Sequence, residues 1–333
     1  MGIFVIDDED GTPKPFTLPA PADRLAMLGS LAPDDFFRIT IEGAASVLRD
    51  AANPLRLNLF STAIRMLLEH VMGTLAPDAD VEACPWYAAV DGQDKPVRAQ
   101  RIQYWLQGGL TDGYLEDELG LAPDALRKQL LKAFNGLSKH VHGRAHTLVR
   151  DPAEQEAEAE ATVSAVEELL YAYHDCRTAL IEPLVEGLDE GAVESLLSET
   201  IQSIDELASH HTIEEIYTDK TEVAAIGPQM VRYRASGSVS VTLQFGSNGD
   251  VRRGDGAELD DSFPFECLFD VPLDDPRDLS QAEVVSGVDT SSWYGDDWRD
   301  DGREIDVDLR AVPDVDLGAW LLGDDDDDDR PAF

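Results

Sequence analysis

The chain has 333 residues and a formal net charge of −41, from 67 acidic and 26 basic side chains, with 43% hydrophobic residues that include 5 Trp, 8 Tyr and 11 Phe. That length allows two domains and that apolar content supports real cores, which excludes global disorder despite the charge. No apolar run reaches membrane-spanning length, the opening residues are acidic where a secretory signal needs a basic region, and Cys84, Cys176 and Cys267 show no Cys/His ligand spacing; a membrane span, secretion, a disulfide framework and a zinc finger are therefore not expected, and a cytoplasmic location is.

In chain order, the first fifty residues are rich in Pro and Asp and are expected to form an arm or lead-in, with a short helix from about Asp34 to Asp50. From Asn53 and Pro54 the apolar residues Leu57, Phe60, Ile64, Leu67 and Val71 fall at helical spacing, which predicts an amphipathic helix from Pro54 to Met72. A turn-rich stretch from Gly73 to Pro96 precedes predicted helices at Arg98 to Gln107 and Gly113 to Leu119. Another helix starts at Pro123 and Asp124, with Leu126, Leu130, Phe134, Leu137 and Val141 on one face. Asp151-Pro152-Ala153-Glu154 opens a long helix through Val163, Val166, Leu170 and Tyr173 towards Ile181, and a further helix is expected from about Ala192 to Ala208.

The apolar period then changes from 3.6 to 2, predicting strands at Gln229 to Ala235, Ser238 to Phe245 and Phe263 to Val271, joined in part by a turn-rich connection from Gly246 to Gly256. The fold class is thus α+β: an N-terminal helical domain followed by a helix and antiparallel strands. The expected division is an arm at 1–50, a helical domain at 51–190, a strand-bearing module at 191–320 and an acidic disordered tail at 321–333.

The charge is spread unevenly. Residues 1–150 carry 15 basic and 20 acidic groups, and residues 151–333 carry 11 and 47. The acid is mostly Asp and the base mostly Arg, a balance that fits adaptation to a salty environment or a GC-rich genome. Within 127–150 stand Arg127, Lys128, Lys132, Lys139, Arg144 and Arg150, three of the seven histidines, and no Asp or Glu. This island is where a polyanion would be attracted.

Two constellations in the helical half can carry chemistry. On the 54–72 helix, Asn58, Thr62, Arg65 and Glu69 recur at i, i+4, i+7 and i+11 and form one polar stripe, with His70 on its flank. The structural reading of the stripe is a solvated face with an Arg65–Glu69 pair. In the island, Ser138-Lys139-His140-Val141-His142-Gly143-Arg144 closes the basic helix. Histidines there can answer the helix dipole; in a phosphodiester site they would act as general base or acid, on a ribose 2′-OH or a leaving oxygen, with Arg and Lys stabilising phosphate charge. That chemistry needs no cofactor, and His140 and His142 point roughly 200° apart on a helix, so no metal is assigned to them.

Arg65-Met-Leu-Leu-Glu-His70 has the Arg-x4-His form of HEPN ribonuclease-type helical domains, and the run from Lys132 to Arg144 resembles the histidine-bearing helix end of such proteins. Over about 50–275 the chain resembles a bacterial family described as predicted pPIWI-associating nucleases. The resemblance rests on the Ser-Lys-x-x-His motif at Ser138 to His142 and on the regions Val239 to Arg253 and Asp261-Ser-Phe-Pro-Phe265. It implies a nuclease in a prokaryotic defence or genome-conflict setting. On that reading Arg65, His70, His140, His142 and Arg144 are the candidate catalytic residues and Arg127, Lys128, Lys132 and Lys139 the nucleic-acid contacts. RNA is favoured over DNA, and a homodimer or a defence-system protein is a possible partner. Arg65 and His70 lie about 140° apart on an ideal helix, so they converge only if the helix is distorted or a second chain completes the site.

A competing reading takes Tyr114 to Lys132 as a helix-turn-helix about Gly120, whose second helix presents Arg127, Lys128, Gln129 and Lys132 to DNA. The protein would then be a non-catalytic nucleic-acid-binding or protein-interaction component. Asp250, Arg252, Arg253 and Asp255 in the Gly-rich connection lack the closing Glu of a calcium loop, and turn chemistry accounts for them. His210 and His211, near a helix end, have a structural reading. No phosphate-binding loop, nucleophile elbow or dinucleotide fingerprint is present.

Overall fold

Proline 21 at a first helical position and Asp34 as an N-cap start the fold well before residue 51. The computed structural model describes residues 18–125, 127–128, 131–132, 148–198 and 201–294. Helix α1 (Pro21–Met27) leads through a short 3₁₀ turn to α2 (Asp35–Arg49), where Asp34 Oδ1 accepts the Phe37 N–H at 2.7 Å. Phe37, Ile41, Ala44, Ala45 and Leu48 repeat at helical spacing on α2 and are buried. They share one core with Leu57, Phe60, Ile64, Leu67 and Val71 of α3 (Arg56–Gly73). Residues 18–50 are therefore part of the helical core and not an arm, because the apolar period continues beneath the Pro- and Asp-rich surface. Each such Leu or Phe gains roughly 1.5–3 kcal/mol from burial.

The short helix α4 (Asp78–Glu82) interrupts the expected turn-rich stretch, followed by α5 (Arg98–Gln107) and α6 (Asp112–Asp117). The described residues between 123 and 132 are helical. Asp151 caps α7 (Pro152–Ile181), with its Oδ1 accepting the Ala153 N–H at 3.2 Å. Ala159, Val163, Val166 and Leu170 of α7 close the helical core. Arg24 fastens α1 to this helix through Glu160 at 2.5 Å and through Glu167.

The predicted 192–208 helix is two pieces, α8 (Val185–Ser198) and α9 (Gln202–Asp205). Strands β1 (His210–Ile226), β2 (Met230–Phe245), β3 (Ala257–Pro272) and β4 (Glu283–Val288) form an antiparallel sheet in the order β1-β2-β3-β4. The two strands predicted at 229–245 are one, since Gly237 stays in register with Phe265. The turn-rich connection holds a one-and-a-half-turn helix, α10 (Asn248–Arg253), capped by Ser247. One sheet face is buried: Tyr233, Ala235 and Val239 on β2 lie opposite Phe269, Cys267 and Phe263 on β3. Helix α8 packs against strands β1, β2 and β4 of the sheet. There Gly191 lies against the Phe269 ring and Ser195 Oγ donates to Ser286 Oγ at 3.0 Å.

The β1–β2 turn docks on the end of α5. Gly109 N–H donates to the Gly227 carbonyl at 2.9 Å. A Cβ at Gly108 would stand 2.2 Å from the Ile226 oxygen, and one at Gly109 would stand 2.3 Å from the Pro228 oxygen, so both positions require glycine. The described residues up to Thr290 form one compact unit, and Ser291–Tyr294, a 3₁₀ turn, falls outside it.

Candidate functional site

Helix α3 runs unbroken from Arg56 to Gly73, so the five-residue spacing of Arg65 and His70 places them on opposite flanks of it. Arg65 Nε donates to Glu69 Oε1 at 2.7 Å, one turn on, and about a third of the Arg65 side chain is open to solvent. No other hydrogen bond to the Arg65 guanidinium occurs among the described residues, which leaves its terminal N–H groups available to an anion. Thr62 Oγ1 donates back to the Asn58 carbonyl at 2.9 Å, as exposed helical threonines often do.

His70 turns the other way, towards α2. Its Nε2 lies 2.7 Å from Asp34 Oδ2, and its ring packs on Phe36 with centroids 4.6 Å apart. Asp34 thus serves two elements at once, with Oδ1 on the first turn of α2 and Oδ2 on the imidazole. The sequence places a helix start near Asp34 but does not show the contact with the imidazole, because the two residues are thirty-six positions apart.

The basic stretch divides in two. Arg127 is buried in a corner where its guanidinium donates to Asp112 at 2.8 and 2.5 Å, to Asp124 at 2.6 Å and to Gln107 at 3.1 Å. Burial opposes its charge, but the hydrogen bonds from Asp112 and Asp124 outweigh this and raise its pKa; in return Arg127 holds the Asp112 carboxyl below the ordinary carboxylate range. The cation expected to touch nucleic acid is instead an internal fastener that ties the 123–132 segment to α5 and α6. Lys128 and Lys132 are exposed, with Lys128 4.0 Å from Asp124.

Lys139, His140, His142 and Arg144 lie outside the described residues, as does Gln129. The described residues on either side of them are placed: Leu131 and Val149 both pack on the helical core that α3 helps to form. The Val149 carbonyl accepts from Gln155 Nε2 at 2.7 Å, and Gln155 Oε1 accepts from Arg56 Nε at 2.9 Å, which ties this end of the stretch to the start of α3.

The helix-turn-helix pattern keeps its turn, with Gly120 at φ +67° and the Leu121 N–H bonded to the Leu115 carbonyl, but its first helix is only the six residues of α6. Asp250 and Arg253 are explained by capping: Asp250 Oδ2 accepts from Ser247 N–H at 2.9 Å and from its hydroxyl at 2.6 Å, which lowers the Asp250 pKa. His210 and His211 begin strand β1 a few residues after α9 ends, and His211 Nδ1 sits 2.8 Å from Asp205 of that helix. The three cysteines are buried, and burial pushes the Cys84 thiol up to about 12 and the Cys176 thiol up to about 11, which suppresses thiolate chemistry. Among the described residues, no group of three or more His, Cys, Asp and Glu side chains is arranged to hold a metal ion, and no helix is long and apolar enough to cross a membrane.

Two family models match, both described as predicted pPIWI-associating nuclease, one over residues 29–166 and the other over residues 173–294. No curated protein and no solved structure matches the chain.

Proposed function

The chain belongs to the predicted pPIWI-associating nuclease family, and from that premise we propose that its helical half cleaves RNA without a metal ion, in the cytoplasm of a prokaryote and in a defence setting. The observation that carries this reading is the packing of Leu131 and Val149. Both flanks of the histidine-bearing stretch rest on the core that also displays Arg65 and His70. His142 is the general base or acid, with His140 or His70 as its counterpart. Arg65 and Arg144 stabilise charge on the pentacoordinate phosphate, while Lys128, Lys132 and Lys139 hold the strand. A HEPN-like composite site, completed across a homodimer, accommodates the opposite facing of Arg65 and His70 on α3.

The exposure of Lys128 and Lys132 favours one second reading, a basic surface that binds nucleic acid or a defence-system protein without cutting. Incubation of the purified protein with single-stranded RNA, duplex RNA and DNA, with and without EDTA, separates the two. RNA cleavage that survives EDTA is the expected result. Cleavage abolished by EDTA rejects the metal-free mechanism, and binding without cleavage at every salt concentration favours the binding module.

A further inference from the structure

Asp34 is the N-cap of α2, and capping occupies only one of its two carboxylate oxygens. Oδ1 accepts the Phe37 N–H at 2.7 Å, and Oδ2 faces His70 Nε2 at 2.7 Å. An ionised carboxylate has no proton to give, so a neutral His70 must donate from Nε2 and keep its lone pair on Nδ1. Among the described residues nothing hydrogen-bonds to Nδ1. The ring is held on its flat side by Phe36, and about a sixth of the side chain remains open to solvent.

We propose that Asp34 is the positioning residue of the nuclease site, fixing His70 in the tautomer that presents a bare Nδ1 as a proton acceptor. This rests on the reading above that His70 works in that site. No bond is made or broken at Asp34. It sets which nitrogen of His70 takes a proton from the attacking hydroxyl, or, once protonated, returns one to the leaving oxygen. The cap supplies the rigidity: Asp34 cannot turn towards a substrate without releasing the first turn of α2, so its grip on the imidazole is preorganised.

The cap also makes the test clean. Asparagine caps helices as well as aspartate does. In Asp34→Asn the cap needs the amide oxygen at the Phe37 N–H, which leaves the NH2 group aimed at His70 Nε2. The imidazole must then accept at Nε2 and carry its proton on Nδ1, the tautomer with no lone pair to offer. The same Asp→Asn replacement in a Ser-His-Asp triad acts in this way.

The experiment is ¹⁵N NMR of the full-length protein labelled at histidine, alongside cleavage kinetics on single-stranded RNA. In wild type the neutral His70 should show its proton on Nε2, and in Asp34→Asn on Nδ1. With the thermal midpoint near wild type, kcat should fall about 100-fold or more while KM holds. Asp34→Ser, which keeps a cap but supplies no second acceptor, should show mixed tautomers and an intermediate rate. An Nδ1-protonated wild type, or the same tautomer in wild type and Asp34→Asn, would overturn the positioning role even if His70→Ala is inactive. Wild-type cleavage by His70→Ala would remove His70 from the site and overturn the proposal through the reading it rests on, even if the tautomer switches as described.

Discussion

Arg65 holds one exposed carboxylate through one hydrogen bond, whereas Arg127 holds two carboxylates and an amide in a buried corner. The two should respond to mutation in opposite ways. Arg65→Ala loses a surface i,i+4 pair worth about 0.3–0.5 kcal/mol of stability, yet it should lower RNA cleavage about 100-fold or more, the usual cost of removing one donor to a transition-state anion. Arg127→Ala should leave Asp112 without its cation. Breaking a buried pair costs about 3–5 kcal/mol, and since about a third of Asp112 is still solvated, roughly 2–3 kcal/mol is expected. Urea unfolding measures both. The Arg127 effect also depends on pH. The Asp112 carboxyl is held low in the folded state and returns to the ordinary value of about 3.9 on unfolding. The contribution is full above that value and fades as pH falls towards the folded pKa, so the gap between wild type and Arg127→Ala should narrow on acidification below about pH 4. A sequence shows that Arg127 and Lys128 are adjacent and basic, but not that one points inward; that is decided by Asp112 and Gln107, fifteen and twenty residues away.

At the scale of elements, the join between the α5 end and the β1–β2 turn is backbone on backbone, and it leaves no room for a methyl group. Gly109→Ala would press a Cβ onto the Pro228 oxygen and the Leu273 side chain. The clash is with main chain, so relief requires the turn to lift; a loss of roughly 1–3 kcal/mol in urea unfolding is expected, with faster hydrogen exchange at the Gly109 amide. Gly73→Ala, where no atom lies within 4 Å of an added Cβ, is the control and should not destabilise. Helices α3, α5 and α7 are legible in the sequence because their apolar period is regular and Pro152 and Asp151 mark a start. Strand β1 is not, because bulges between Ile213 and Glu215, Thr218 and Lys220, and Val223 and Ala225 break the two-residue period three times, and Ile226 is its one buried residue. Six-residue β4 carries too few apolar positions to stand out. The helix expected at about 34–50 is present as α2, whereas α1 is hidden among the prolines, where Pro21 acts as a helix start. One family match ends within α7, at 166, and the other begins within it, at 173; this one helix serves both the helical core and strand β1.

Across the whole molecule, the charge of −41 is concentrated in residues 151–333, where 47 acidic groups face 11 basic ones. Nucleic acid approaching that half is repelled, so on the proposed reading binding falls to the 127–150 island, with Arg127 already used internally. Reversal of Lys128, Lys132 and Lys139 to Glu should therefore weaken RNA binding. It should also flatten the log–log salt dependence by about 2, near 0.7 per lost contact on a single strand. Unchanged binding by the triple variant would mean that this surface is not the contact. The resemblance was legible from short motifs on both halves of the chain, while the relation of Arg65 to His142 was not, since helical periodicity orients residues within one helix and says nothing between helices. General acid–base attack by a ribose hydroxyl is tested by a single-stranded RNA against the same sequence with 2′-deoxyribose at the cleaved position, both in EDTA. The ribose strand should be cut to 2′,3′-cyclic phosphate and 5′-hydroxyl ends, the deoxy position should be spared, and His142→Ala should cut neither. Equal cutting of both strands to 3′-hydroxyl and 5′-phosphate ends would contradict that mechanism.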